Sequence, residues 1–182
     1  MANFSVPTRA QVSETNQAIF DNLQKNLGFV PNLYATFAYS DTALKDYLAL
    51  QNRKSSLKAK EREVINLVVS QVNECDYCLA AHTALGKMNG FTDEQILEIR
   101  GGSASFDAKL DALAQFVQST TINRGKPSTS SVDALLAAGY DNGNLVDILM
   151  VIGDKIVSNF LHGITAIPVD FPAAPELEAA LV

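Results

Sequence analysis

Four side chains in this sequence could do chemistry together. The chain has only two cysteines, Cys75 and Cys78, in the run CDYCLAAH that ends at His82. On a helix, spacings of three and four share a face, so both sulfurs and the imidazole fall in one narrow arc. His82 stands one turn after Cys78, near enough to take its proton, the arrangement that activates a thiol nucleophile. Cys75 sits at the start of the helix, where free backbone N–H groups and the helix dipole favour a thiolate. Two thiols so spaced can also close a disulfide. A redox dithiol, a metal site and a buried helix face all fit this pattern.

A fourth residue comes from the preceding stretch, KEREVINLVVSQV. It is apolar at Val64, Ile65, Leu67, Val68, Val69 and Val72, with Glu63 at the edge of the apolar arc. A carboxylate placed there needs a partner. If this helix and the cysteine helix fold back as an antiparallel hairpin turning near Val72 and Asn73, Glu63 comes opposite His82. The result is a relay of orienting carboxylate Glu63, base His82 and attacking thiolate Cys78, with Cys75 as resolving thiol one turn away. The helix end favours Cys75 as the thiolate and His82 favours Cys78. The acidic neighbours Glu74 and Asp76 oppose ionisation of Cys75, so Cys78 is read as the nucleophile.

The elements that must position these groups are helical throughout. Helical spacing predicts helices over 15–26, after Pro31, over 41–53, 57–72 with Ser56 as cap, and 75–88 ending at Asn89-Gly90. Further helices are predicted over 92–100, around Phe106, Leu110, Leu113 and Val117, over 130–138 with Ser130 and Asp133 as a capping box, and over 144–165. No run alternates as a strand would. The reading is one all-α domain of about seven or eight helices over 1–182. It comprises an N-terminal helical extension (1–55), a core (56–168) and a proline-containing tail (169–182) lying on the surface or wrapping a neighbour.

Composition bounds the function. The 182 residues are 47% apolar and 19% charged, ordinary for a globular chain, and the formal net charge is −6. An acidic chain without a basic run is a poor ligand for nucleic acid or an anionic membrane. No signal peptide and no membrane span is read, so the expected compartment is the cytoplasm, where a CxxC pair points to redox or metal chemistry.

Glu63, eleven intervening residues and then CDYCLAAH resemble the signature of the AhpD-like alkylhydroperoxidases, within the carboxymuconolactone decarboxylase superfamily. The run LGFVPNLYATFAYSDTALKDY is similar to the N-terminal part of its peroxidase-related branch. The resemblance implies an AhpD-like helical bundle with the CxxC motif on an antiparallel helix hairpin, assembling as homo-oligomers, trimers or hexamers. It implies a thiol-dependent peroxidase with Cys78 peroxidatic, Cys75 resolving, and His82 and Glu63 as proton relay. The substrate would be a small hydroperoxide, the reductant a dithiol or protein, with no cofactor and no metal. The pattern departs from the best-known AhpD sequence at Tyr77, where a histidine precedes the second cysteine. Tyr77 could line a substrate pocket and donate a hydrogen bond to sulfur or peroxide. His162 reads as a structural or interface residue. The alternatives are a decarboxylase-type lyase acting through His82, a zinc site of two Cys and one His, and a non-catalytic helical module.

Overall fold

The computed structural model describes residues 4–177. Among them are nine α-helices, a single 3₁₀ turn at Arg9–Gln11 and no strand. The helices are α1 (Glu14–Leu27), α2 (Asn32–Phe37), α3 (Ala43–Gln51), α4 (Ala59–Val72), α5 (Asp76–Met88), α6 (Asp93–Arg100), α7 (Ala108–Ile122), α8 (Thr129–Ala137) and α9 (Asn142–Thr165). The part of the domain reading that covers 1–3 and 178–182 lies outside the described residues.

α4 is the central element. It is buried on nearly every side, as its apolar sequence requires, and packs against α5, α6, α7 and α9. One apolar cluster gathers α4, α6, α7, α8 and α9 around Ile65, Leu67, Leu113 and Ile148. A second brings Phe20, Leu33, Phe37, Leu44 and Tyr47 of α1–α3 onto Cys75, Tyr77 and Cys78. The N-terminal helices thus form the wall that takes both cysteines out of water, leaving them 2% and 3% exposed.

Several boundaries differ from the sequence reading for local reasons. Ser56 does not cap α4, because its backbone N–H and its hydroxyl both go to Asp147 of α9, at 2.6 and 2.7 Å. Lys58 holds the cap position instead, and Glu61 accepts its N–H at 2.7 Å. α8 starts earlier than the Ser130–Asp133 box suggested, since the Ser128 hydroxyl accepts the Ser131 N–H. α9 starts two residues early on a reciprocal Asp141–Asn144 cap, and Phe106 precedes α7.

The described part of the tail runs along the chain's own surface. Asn32 donates to Pro168 O and to the Asp170 carboxylate, and Arg100 donates to Pro175 O at 2.6 Å. Among the described residues no helix is long and apolar enough to cross a membrane.

Candidate active site

The hairpin between α4 and α5 is closed by one strained residue. Glu74 takes a left-handed conformation (φ 52°), which lets the Cys75 N–H return to Ser70 O at 2.9 Å. The chain reverses within three residues and the helices run antiparallel, with Lys60 reaching Gly90 O and Glu63 reaching His82. Gly86 of α5 makes room for α6: a Cβ there would stand 3.3 Å from Ile96 Cδ1.

Cys75 is the N-cap of α5 rather than its first residue, and its Sγ accepts the Cys78 N–H at 3.4 Å. In return the Cys75 thiol donates to the Cys78 sulfur. That bond, which outweighs the opposing effect of burial, together with the positive charge of Lys155, the neighbouring His82 ring and the Asn159 amide, holds the Cys78 thiol down at about 6. Cys75 moves the opposite way, pushed up by its bond to Cys78, by burial and by the negative charge at Cys78. Ionisation is therefore favoured at Cys78 over Cys75. Glu74 and Asp76, both exposed, are not among the groups that set this order.

His82 is held from both sides. Its Nδ1 lies 2.8 Å from Glu63 Oε2, and Glu63 Oε1 accepts from Asn66 at 3.1 Å. Burial pushes the Glu63 carboxyl up. The attraction of the His82 ring and its hydrogen bond, with Lys155 and Asn66 behind them, more than reverse this and leave it below its ordinary value. The other ring nitrogen, Nε2, stands 3.2 Å from Lys155 Nζ. An ammonium can only donate, so Nε2 is the acceptor and the imidazole proton sits on Nδ1, toward Glu63. The structure thus joins Glu63 to His82 as the hairpin geometry predicted. Among the described residues no hydrogen bond joins His82 to Cys78; the nitrogen expected to face the thiol faces Lys155.

Lys155, 2% exposed, is the residue the sequence reading missed. With Asp154 it interrupts an otherwise apolar stretch of α9, and two adjacent charges in a sequence that reads as a buried helix are the one available signal. Nothing in its spacing connects it to residues on α5.

Tyr77 is also placed differently. Its hydroxyl donates to Asp170 Oδ1 at 2.6 Å and accepts the Leu33 N–H at 3.2 Å. Burial and the neighbouring Asp170 carboxylate push its ionisation well above the ordinary phenol value. The ring lines the site, but its proton is committed to the tail and is not offered to a peroxide. His162 packs on the Tyr77 ring at 5.4 Å and meets Ile167 O at 3.2 Å, where α9 hands over to the tail.

Cys78, His82 and Lys155 form the polar end of a cavity of about 340 Å³ whose other walls include Phe29, Leu33, Tyr34, Leu85 and Met88. A second cavity, of about 370 Å³, lies behind His82 and is bounded by Arg62, Glu63, Asn66 and Asp154. Among the described residues no group of three or more His, Cys, Asp or Glu converges as metal ligands, and both His82 nitrogens are engaged.

Residues 38–118 match the model of the carboxymuconolactone decarboxylase family. The fold as a whole matches a peroxidase-related protein with an alkylhydroperoxidase AhpD core from Ralstonia eutropha JMP134, with TM-score 0.79 at 19% identity over 98% of this chain and 93% of that one. The family match thus takes in α3 to most of α7 with the whole of the cysteine hairpin, and the likeness of the full chain is one of fold. A peroxidase-related protein from Silicibacter sp. TM1040 aligns with TM-score 0.77 at 23% identity over 98% and 95% of the two chains. The debrominase Bmp8, solved with 2,3,4-tribromopyrrole, aligns with TM-score 0.73 at 15% identity over 99% and 95%. At these identities the likeness is one of fold. A search of curated proteins found no match.

Proposed function

We propose that this chain is a member of the AhpD/carboxymuconolactone decarboxylase superfamily and a thiol-dependent hydroperoxidase acting on small, apolar organic hydroperoxides. The observation that carries the reading is the asymmetry of the cysteine pair: Cys78 is ionised near neutral pH at the floor of an apolar cavity, with the protonated thiol of Cys75 bonded to it. The Cys78 thiolate attacks the terminal peroxide oxygen, the O–O bond breaks, and the departing oxygen takes a proton to leave as an alcohol. Cys78 is then a sulfenic acid. The Cys75 sulfur attacks it, its proton leaves with the hydroxyl as water, and a Cys75–Cys78 disulfide forms. A dithiol or protein reductant restores both thiols by exchange. No bound cofactor or metal is needed. Glu63 and His82 order the proton-handling groups beside Cys78.

A lyase reading through His82 fits less well. A carboxylated lactone needs cations and a free imidazole nitrogen; Lys155 brings one cation to the cavity, but it occupies His82 Nε2, and the other walls are mostly apolar. A second redox reading has one support, the shared fold with Bmp8. The same dithiol could replace an aryl bromine by hydrogen, releasing bromide and a proton as the disulfide forms. We place the protein in the cytoplasm and assemble it as a homo-oligomer, a trimer or hexamer. The exposed stripe of Val146, Met150, Val157, Phe160 and Ile164 along α9 is the surface a second copy would cover. Light scattering on a Phe160→Asp variant tests that assembly.

The deciding experiment mixes the reduced protein with one equivalent of cumene hydroperoxide and follows free thiols and intact mass. Rapid loss of both thiols and of two hydrogens supports the reading. Thiols that persist, with bromide released from a bromopyrrole, move the assignment to dehalogenation.

A further inference from the structure

Lys155 is an unusual group to find where it is. Its ammonium is 2% exposed and lines the apolar cavity beside Cys78. Burying such a charge is costly unless hydrogen bonds and an opposite charge compensate it. Among the described residues its hydrogen-bond partner is His82 Nε2, at 3.2 Å, while the adjacent Asp154 Oδ1 stands at 3.9 Å, beyond hydrogen-bond reach. An ammonium has three N–H donors, so His82 uses one of them. The anion that shares the cavity with it is the Cys78 thiolate.

We propose that Lys155 is the general acid of the site: it keeps the proton that Cys78 gives up and delivers it to the oxygen released when the peroxide O–O bond breaks. The proposal rests on the hydroperoxidase reading above. In the resting site Cys78 carries S⁻ and Lys155 carries the third ammonium proton. Attack forms the S–O bond and breaks the O–O bond. The alkoxide takes a proton from Lys155, giving the alcohol and a neutral amine. Closure of the disulfide releases water with the Cys75 proton, and reduction by the dithiol returns a proton from Cys78 to Lys155. Glu63 and His82 become positioning residues: Glu63 fixes the Nδ1–H tautomer, which leaves Nε2 to orient the ammonium.

The test compares wild type, Lys155→Met and Lys155→Arg, each checked for folding by circular dichroism. Two rates are read against pH: alkylation of Cys78 by iodoacetamide, which needs no peroxide, and oxidation by cumene hydroperoxide. The titratable groups that act on Cys78 or feel its charge are Cys75 at the cap of its helix, Tyr77 and His82 on that helix, Lys155 from α9 and Tyr34 from α2, with Glu63 of α4 behind His82 and Asp154 beside Lys155, so the two Lys155 variants isolate one of them.

Lys155→Met should raise the alkylation midpoint. It should also slow oxidation about 10²-fold or more even at a pH where Cys78 is fully ionised, the scale of a positioned proton donor. Lys155→Arg should restore the alkylation midpoint, since the charge is kept, yet oxidise slowly, because a guanidinium does not give up its proton. A Lys155→Met or Lys155→Arg protein that oxidises at the wild-type rate once Cys78 is ionised would overturn the role of Lys155 alone. A wild type whose Cys78 alkylates readily but ignores the peroxide would overturn the hydroperoxidase reading, and the proton delivery with it.

Discussion

Lys155 and His82, 73 residues apart in the chain, meet at 3.2 Å between α9 and α5. This contact turns the imidazole away from the thiol and makes it a link between a carboxylate and an ammonium. The consequences reach every proton in the site.

The first consequence is a pH profile. Cys78 is held at about 6, below its unfolded value of 9.0, so its charged form dominates above that point. Alkylation of Cys78 should be slow at pH 5, half-maximal near pH 6 and level by about pH 7.5. A group whose folded value is depressed adds stability that is complete above pH 9 and is lost as pH falls through 6. Wild type should therefore gain stability over Cys78→Ser between pH 6 and 9, read as the urea midpoint. Cys75→Ala removes the largest stabilising bond to the thiolate and should move the alkylation midpoint upward.

Glu63→Gln keeps the size of the side chain but removes the charge that fixes His82 Nδ1–H. Oxidation of Cys78 should slow about 10²-fold with substrate affinity little changed. The loss of a buried charged hydrogen bond should cost about 1.5–3 kcal/mol in chemical denaturation. Unchanged oxidation kinetics would remove Glu63 from the machinery and leave it a structural residue.

Tyr77→Phe should separate anchoring from chemistry. The hydroxyl bridges the Leu33 N–H and Asp170, so its removal leaves a buried N–H unpaired and loosens the tail. The expected cost is about 1–3 kcal/mol, with faster proteolysis after Pro168. Oxidation by peroxide should stay within a few-fold of wild type. Complete loss of oxidation in a folded variant would show that the phenol acts on the substrate.

Ala81 lines the apolar cavity and is half-buried. Ala81→Phe should fill part of the volume, raising KM for cumene hydroperoxide far more than for hydrogen peroxide. The Cys78 alkylation midpoint should not move, because no charge near the sulfur changes. Equal losses for both peroxides would place substrate entry elsewhere.

Much of this arrangement is legible in the sequence, and the missing parts share a cause. Glu63 and His82 can be paired on paper because a tight hairpin converts sequence distance into spatial position. Lys155 cannot, because its register on α9 is set by packing against α4 and α5, which spacing does not encode. Ser56 looks like a cap for α4, yet Asp147 captures its N–H from a helix far along the chain. The Tyr77 hydroxyl is likewise claimed by Asp170, 93 residues on. Local rules found the helices and the hairpin, and long-range polar contacts redirected individual side chains.

The most direct test of the account is to trap the first oxidised species. Cys75→Ser and Cys78→Ser proteins would each meet one equivalent of cumene hydroperoxide in the presence of dimedone, and the adduct would be mapped by peptide mass. The account predicts a rapid adduct on Cys78 in Cys75→Ser and none on Cys75 in Cys78→Ser. An adduct on Cys75, or on neither cysteine while both proteins remain folded, would contradict it.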